Sequence, residues 1–421
     1  MMIHHMGYKL RAQIHRFSGK LCHGMGKVTQ RFVEEMLYGI QARGSVRLSE
    51  VARSLEETIS LKKVIERLSR NLARRGLAQG IGEAVLKEGA VKVNEDTLLI
   101  VDPTDITKKY AKKMEYLAQV RDGSDKVLGM GYWVNTVVGA EVGSSEITPL
   151  VHTLYSQNAK DFVSENQEMI DAVRTVSEAT DGRGIFVFDR GGDRKELYKE
   201  LLGDPLRRFI VRQRGDRHLL YRGKPCETLT LAHSCTTPYG ETVIKEEDGK
   251  EKPYFLTFGF RPVCLPEHPT RKLWLVVVKG FGQQPLMLLT TEPMRRCRNT
   301  LWWIVSAYMT RWRIEETIRF IKQSYDLEDV RVLTYQRLQA ICALVLAASF
   351  FAAVYVGTRA KLEILALHVL KAAKRIFGIP DFRYYALADG IKEVLSKAGK
   401  GILGAKAMPL QNLSQFPLFS A

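Results

Sequence analysis

A row of side chains suited to phosphate and metal chemistry recurs at helical spacing in the run YMTRWRIEETIRFIK. The row, at intervals of three, four and seven residues, is Tyr308, Arg311, Glu315 and Lys322. At about 100° per residue, an α-helix places all of them on one narrow stripe of its surface. Apolar residues form a second stripe directly beside it, which would pack on a core. The pattern predicts a core-packed helix that presents one carboxylate among three phosphate-binding groups.

Two aspartates could supply partner carboxylates for Glu315. Asp102 ends the apolar run LLIVD and Asp189 ends the run FVFD, and both runs indicate buried strands. Acids at the C-terminal ends of such strands meet at a sheet edge, where α/β active sites form. Three carboxylates can hold two Mg²⁺ ions about 4 Å apart for phosphoryl transfer, with Mn²⁺ as a possible substitute. No His and Cys set in the sequence favours zinc.

Each acid alone has a simpler interpretation. Asp102 precedes a proline and could start a turn, and Asp189 could cap the helix that follows it. Glu315 could form a surface ion pair with an arginine four residues away on either side. Only the combination of the three acids with the stripe favours a metal site.

The elements that must position these residues follow a simple order. From residue 96 the patterns alternate as strand, strand, strand, helix, strand, helix, strand. Strand-like runs broken by Gly and Pro come next, and helical patterns then continue to about residue 400. We therefore predict an α/β fold with these divisions: a helical DNA-binding region at 1–90, a core at 91–214 and 298–358, a β-rich insertion at 215–297, and a helical C-terminal region at 359–421.

The charge of the chain points to an anionic partner. Its composition is ordinary for a globular protein, but 63 Lys and Arg against 46 Asp and Glu give a net charge of +17, which favours nucleic acid or an anionic surface. Residues 1–80 hold 15 of the basic and 6 of the acidic residues. Their short helix, turn and basic helix are similar to a helix-turn-helix, although other helical bundles show the same pattern. A basic soluble enzyme with no nucleic-acid partner is the alternative.

One segment, 338–356, is nearly all apolar and about long enough to span a bilayer. A helix buried in a large core has the same composition and is the favoured interpretation. Six cysteines without C-x-x-C spacing predict neither a zinc site nor a disulfide framework, which fits a reducing cytoplasm. The N-terminus shows no signal-peptide pattern.

These motifs resemble the DDE transposases of bacterial insertion sequences that carry a Y-x2-R-x3-E-x6-K signature, the IS-four family. The stripe matches that signature without a gap, and DRGGD around Asp189 and VDPTD around Asp102 resemble its two aspartate motifs. A β-rich insertion between the second and third acids is a further similarity. The resemblance covers about residues 95–350.

The resemblance implies an RNase H-like mixed sheet flanked by helices, with Asp102, Asp189 and Glu315 as catalytic Mg²⁺ ligands. It implies cut-and-paste transposition: nicking at the element end, a hairpin on that end, hairpin opening and strand transfer. The implied partners are double-stranded DNA, as terminal inverted repeats and target, and a second copy of the chain in a homodimer. The implied location is the bacterial cytoplasm at the nucleoid, with no membrane partner.

Further residues are candidate DNA contacts. The resemblance assigns phosphate binding to the other three residues of the stripe. Basic residues near the acids could line a DNA groove or form a solvated face: Arg190, Arg194, Arg212, Arg214, Arg217, Lys108, Lys109, Lys112 and Lys113. Relatives often hold a flipped base with a Trp of the insertion. Here Leu286 and Met287 stand at the expected place, and Met287 could wedge between bases instead.

Two alternative functions stay open. One is a metal-dependent nuclease of the same fold that lacks strand transfer. The other is a basic DNA-binding protein whose acids are structural.

Overall fold

The computed structural model describes residues 2–108, 110–121, 127–247, 250–372, 382–399 and 401. Its helices are α1 Met2–Leu21, α2 Lys27–Arg43, α3 Leu48–Ser54, α4 Leu61–Leu72, α5 Leu77–Ala90, α6 Glu165–Ala179, α7 Lys195–Gly203, α8 Thr228–His233, α9 Arg298–Thr310, α10 Trp312–Ser324, α11 Tyr335–Phe350, α12 Thr358–Ala372 and α13 Tyr384–Lys397. Its strands are β1 Leu98–Thr107, β2 Ala118–Arg121, β3 Leu128–Ala140, β4 Ile147–Tyr155, β5 Ile185–Phe188, β6 Arg208–Arg212, β7 His218–Tyr221, β8 Lys224–Glu227, β9 Tyr239–Glu247, β10 Lys250–Leu265, β11 His268–Lys279 and β12 Leu286–Thr290.

The centre of the molecule is a mixed sheet in the spatial order β4-β3-β1-β5-β6. β3 is antiparallel to both β1 and β4, whereas β5 and β6 run parallel to β1. The parallel strands are reached through α6 and α7. Three antiparallel strands followed by two parallel ones form an RNase H-like sheet, which confirms the predicted fold class. The short strand β2, which pairs with the start of β3, was not predicted.

The apolar run that opens β1 is buried on both sides of the sheet. Leu98 and Ile100 belong to one hydrophobic cluster, and Leu99 and Val101 belong to the other. Because successive side chains of a strand point to opposite faces, a strand covered on both faces must be apolar without alternation. This is why LLIV appears as an uninterrupted run.

The strands of residues 215–297 extend this same sheet. β12 pairs with β6, with Leu289 opposite Val211, and β11 and β10 follow in order. β9 and the β7–β8 pair complete the far end through β10. The insertion is therefore continuous with the central sheet, while the division of the chain into domains stays a prediction.

The apolar segment 338–356 forms α11 and a π-helical turn, Phe351–Tyr355. By length and composition this helix could cross a membrane, but 83% of its apolar window is buried inside the protein. It contacts α2, α5 and β4, and Phe17 of α1 stacks on Phe350 with 6.0 Å between ring centroids. Its surroundings are those of a core helix shared by the N-terminal helices and the sheet.

The last helices complete the layer around α11. α13 contacts α1, α2 and α12. Much of the predicted C-terminal region 359–421 lies outside the described residues, including 373–381 and 402–421.

Candidate active site

The helix predicted for the stripe is two helices that meet at Arg311. α9 ends at Thr310 and α10 begins at Trp312. Arg311 keeps helical backbone angles, with φ −51° and ψ −32°. The N–H of Arg311 donates to the carbonyl of Tyr308, and the N–H of Ile314 donates to that of Arg311, at 3.1 and 3.0 Å. These are bonds to the third residue back, so the turn is tighter than an α-helix. The side chains after Arg311 are therefore rotated about the helix axis relative to their positions in a single straight α-helix.

The sheet brings the two aspartates side by side. β1 and β5 are parallel neighbours, and their register pairs Ile100 with Val187. Asp102 and Asp189 each follow two residues later and are therefore neighbours. β5 ends just before Asp189, but β1 continues to Thr107 with Asp102 paired opposite Thr136 of β3, so the prediction that this strand ends at Asp102 is wrong. Glu315 approaches from α10, which contacts β1 and β3.

The three carboxylates form one electrostatic cluster around Asp102. Burial is the largest cause that raises the pKa of Asp102, to about 7, and the charge of Asp189 is the next. Arg311 opposes the rise, and Glu315 adds to it. Like charges gathered in a partly buried site are typical of functional centres, although structural networks can show them too.

Arg311 lies between two of these acids. Its Nη2 donates to Oε1 of Glu315 at 2.7 Å, and its Nη1 is 3.7 Å from Oδ2 of Asp102. Its guanidinium carbon is 5.9 Å from the ring centroid of Tyr308. Within the described residues, the Arg311 Nε and the Tyr308 hydroxyl are buried without a hydrogen-bond partner. Buried polar groups are nearly always paired, so these two are unsatisfied polar atoms beside the acids.

The acids suit a divalent cation by chemistry but are not drawn together around one position. Among the described residues, no three His, Cys, Asp or Glu side chains could share a metal ion. Carboxylate oxygens are nevertheless the ligands that Mg²⁺ and Mn²⁺ prefer. A cation at Asp102 and Asp189 would also offset the repulsion that raises the Asp102 pKa. Glu315 would first have to exchange Arg311 as its partner.

Comparison with known proteins agrees with this arrangement. The family model described as "Transposase DDE domain" matches residues 94–351, which is more than half of the chain. The protein belongs to the DDE transposase family. Such enzymes are polynucleotidyl transferases and endonucleases that generally use divalent metal ions.

Other comparisons add little to this assignment. No curated protein sequence matches the transposase. Among solved structures, it is similar to a piggyBac transposase in a synaptic complex with hairpin DNA, studied by cryo-electron microscopy. The identity is 11% and the TM-score 0.46, over 98% of this chain and 84% of the other. Two chains at this distance need not share residue-level detail.

Two glycines shape the turn that carries Asp189 in the transposase. Oδ1 of Asp189 accepts from the N–H of Gly191 at 2.6 Å, which caps the 3₁₀ turn Arg190–Gly192. A Cβ on Gly191 would lie 2.9 Å from that oxygen, and one on Gly192 would lie 2.4 Å from Cβ of Phe188. At position 192 the close atom is a Cβ that cannot move away, so this position needs glycine. At position 191 the close atom is the end of the Asp189 side chain, which could move only by disturbing its hydrogen bond to the Gly191 N–H. Asp189 thus caps this 3₁₀ turn, whereas the helix that follows, α7, has Arg194 at its N-cap position.

Asp193, the last residue of that run, is a structural anchor that the sequence analysis missed. It is fully buried, and its Oδ1 is 2.7 Å from Nε of Arg217. Its Oδ2 accepts from the backbone N–H of Arg214 at 2.8 Å. Arg217 is thus held inside the protein, with 8% of its side chain exposed, whereas the Arg214 side chain is 55% exposed. Of these two arginines, only Arg214 faces solvent as a candidate DNA contact.

Two other predicted arginines do lie beside the acids. Arg190 directly follows Asp189 and is exposed. The register of β5 and β6 pairs Phe188 with Val211, so Arg212 leaves β6 next to Asp189. Arg194 is instead tied to Asn166, with 2.7 Å from Nη1 to Oδ1.

Two expectations from the sequence need correction. Met287 is 6% exposed in a hydrophobic cluster, opposite Val277 of β11, and so cannot wedge between bases from this position. Successive side chains of a strand point to opposite faces, and that of Met287 points to a covered face of the sheet.

Lys108 anchors another segment and is not free to contact DNA phosphates. Its Nζ donates to the carbonyls of Glu328 and Val330, and burial lowers the pKa of Lys108 to about 8. Lys112 and Lys113 are exposed, and Lys109 lies outside the described residues.

Proposed function

We propose that this DDE transposase cleaves the inverted-repeat ends of its own insertion sequence and joins them to target DNA. The observation that carries the proposal is the surroundings of Asp102. Burial first, and then the charges of Asp189 and Glu315, raise the pKa of Asp102, and Arg311 reaches between Asp102 and Glu315. The spacing of Tyr308, Arg311, Glu315 and Lys322 supports placement in the IS-four family.

Asp102, Asp189 and Glu315 are the ligands we propose for two Mg²⁺ ions, or Mn²⁺ in their place. Bound there, the metals would activate water or a 3′-hydroxyl and stabilise the leaving oxygen. The protein's own contribution is placement. The adjacent strands β1 and β5 hold the two aspartates side by side, and α10 presents Glu315 to them.

The phosphate-binding groups are the other members of the stripe. Arg311 can exchange Glu315 for a phosphate, because a guanidinium binds both anions through paired N–H donors. The Tyr308 hydroxyl, which has no partner among the described residues, can donate to the same phosphate. Lys322 supplies a further positive charge. DNA binding at Arg311 would thereby release Glu315 toward the aspartates.

The hairpin on the element end and a homodimer that holds two ends belong to the same proposal. Both rest on the resemblance to transposases of the IS-four family. Because Met287 is buried, another side chain would have to bind a flipped base. Arg190, Arg212 and Arg214 are proposed to flank the bound DNA, because they lie at or beyond the edge that carries Asp189.

Cleavage of a linear duplex tests the proposal. The duplex should carry the inverted repeat that flanks the gene, with Mg²⁺ present. We expect nicked and joined products from the wild type, and loss of both in Asp102→Asn, Asp189→Asn and Glu315→Gln with DNA binding retained. Glu316→Gln is the matched control, since Glu316 neighbours Glu315 on α10 but pairs with Arg319 at 3.0 Å.

The outcomes separate the alternative functions. Nicked products without joined ones would favour a nuclease. Binding without any cleavage in Mg²⁺ or Mn²⁺ would favour a non-catalytic DNA-binding protein and would refute the proposal.

A further inference from the structure

Lys322 lies between two carboxylates that differ in their surroundings. Its Nζ is 3.6 Å from Oδ1 of Asp105 and 3.1 Å from Oε1 of Glu328. Only 18% of the Lys322 side chain is exposed. Its charge also acts on the buried imidazole of His152, whose pKa is lowered to about 3 by burial first and by Lys322 second. A cation with so little water around it requires a nearby counter-charge.

Asp105 is the fixed member of this pair. Its side chain is 6% exposed, and its Oδ2 accepts from the hydroxyl of Thr107 at 2.6 Å. Its backbone is held in β1, opposite Trp133 of β3. A carboxylate on a central strand with its own hydrogen bond keeps its position when a ligand arrives.

Glu328 is the exchangeable member. Its side chain is 49% exposed, and it lies in the 3₁₀ turn Leu327–Asp329. Ion pairs that face water are weak. A phosphate oxygen that approaches Lys322 can therefore take the place of the Glu328 carboxylate.

We propose that Asp105 is a positioning residue that aims Lys322 at a DNA phosphate, and that Glu328 occupies the phosphate's place in the DNA-free protein. The ammonium has three N–H donors, so a contact with Asp105 leaves others for the phosphate. Exchange of one anion for another keeps the charge around Lys322 balanced. This proposal rests on the proposed function and adds to it a link between two sites. Asp105 lies three residues after Asp102 on the same strand, so β1 would set the distance between the phosphate bound by Lys322 and the three acids.

A double-mutant cycle tests the role of Asp105. The affinity for the inverted-repeat duplex, measured by fluorescence anisotropy without divalent metal, should fall about tenfold in Asp105→Asn and in Lys322→Ala. The double variant should bind no worse than Lys322→Ala, because Asp105 acts through Lys322. A purely structural Asp105 would give losses that multiply, and that result would overturn the proposal. So would an unchanged affinity in Asp105→Asn.

Substitution of Glu328 should change the affinity for the duplex in the opposite direction. Glu328→Gln removes the anion that competes with phosphate and should tighten binding by about two- to fivefold. The matched control is Asp329→Asn, which removes a neighbouring charge that pairs with Arg47 and Arg331 and not with Lys322. Weaker binding in Glu328→Gln, or an equal gain in the control, would contradict the exchange.

Two further measurements keep the test decisive. If Asp105→Asn does not fold, Thr107→Val removes only the hydrogen bond to Asp105. Thr107→Val should weaken DNA binding when it is introduced into the wild type but not when it is introduced into the Lys322→Ala variant. Equal losses of affinity in the two backgrounds would overturn the proposal. A wild type that binds the duplex but never cuts it refutes the proposed function alone, since the binding cycle needs no cleavage. A wild type that does not bind it refutes both.

Discussion

At the scale of single residues, the burial of Asp102 and its repulsion from Asp189 set how the acid cluster responds to pH. The folded protein raises the pKa of this carboxyl from 3.8 to about 7, first by burial and then through Asp189. The raised pKa means that the folded protein disfavours the ionised carboxyl more than the unfolded chain does, so ionised Asp102 destabilises the fold, most strongly above pH 7. That cost grows between pH 3.8 and about 7 and vanishes below the lower value.

Asp102→Asn should therefore stabilise the metal-free protein at pH 8 more than at pH 5. A fifth of the Asp102 side chain is exposed, so water limits the gain to roughly 1–3 kcal/mol at pH 8. Thermal unfolding at the two pH values measures it. Mg²⁺ should narrow the difference by stabilising the wild type only. An equal shift of Tm at both pH values would contradict the role of charge.

At the scale of elements, buried ion pairs hold the loops that carry the site. Asp193 joins the turn after β5 to the segment after β6 through Arg217 and the backbone of Arg214. Lys108 similarly binds two carbonyls of the segment after α10. The positions of Asp189 and Lys322 thus depend on anchors that do no chemistry themselves.

Asp193→Ala should destabilise the protein by about 3–5 kcal/mol, because Arg217 is left as an unpaired buried charge. Arg214→Ala removes a side chain that is 55% exposed and makes only a 3.7 Å ion pair and a 3.3 Å hydrogen bond with Asp193, and should cost no more than about 1 kcal/mol. Urea unfolding of both variants gives the comparison. Similar small losses in the two would show that Asp193 is not an anchor.

At the scale of the whole molecule, the N-terminal helices and the sheet share one core around α11. Phe17 of α1 is fully buried and lies 5.6 Å from Phe351 and 4.7 Å from Tyr355 between ring centroids. Gln41 of α2 donates to the carbonyl of Ala348 at 2.8 Å. The N-terminal region, which we predict to recognise DNA, is therefore packed directly on the catalytic core.

Phe17→Ala should cost about 3–5 kcal/mol through the cavity it leaves. Because the core is shared, calorimetry should show a single unfolding transition that moves to lower temperature as a whole. Val28→Ala, at an exposed position of α2, should leave Tm unchanged. If the wild type instead shows a separate transition at lower temperature, and Phe17→Ala shifts only that transition, then the N-terminal helices unfold independently.

Local patterns predicted the parts of the molecule that depend on short-range order. Uninterrupted apolar runs marked the first half of β1 and the whole of β5, and the acids that follow these runs are neighbours because the two strands are parallel and in register. That β1 continues past Asp102 to Thr107 was not predicted. The order of strands and helices predicted an α/β fold, and the resemblance to the IS-four family implied an RNase H-like sheet; this fold class is confirmed. The roles of individual site residues stay predictions.

The failures share a physical cause. The i to i−3 turn at Arg311 and the burial of Met287 and Lys108 depend on neighbours far away in the chain. Asp105 and Asp193 were given no role from the sequence, because their partners Lys322 and Arg217 meet them only in the folded chain.

The sequence by itself determined which groups are available: three acids, a phosphate-binding stripe and a charge of +17. These follow from residue type and spacing, which folding does not change. Only the tertiary structure decided which charges are paired. It placed Arg311 between Asp102 and Glu315 and set Lys322 between a fixed and an exposed carboxylate, because ion pairing depends on distance and burial in three dimensions.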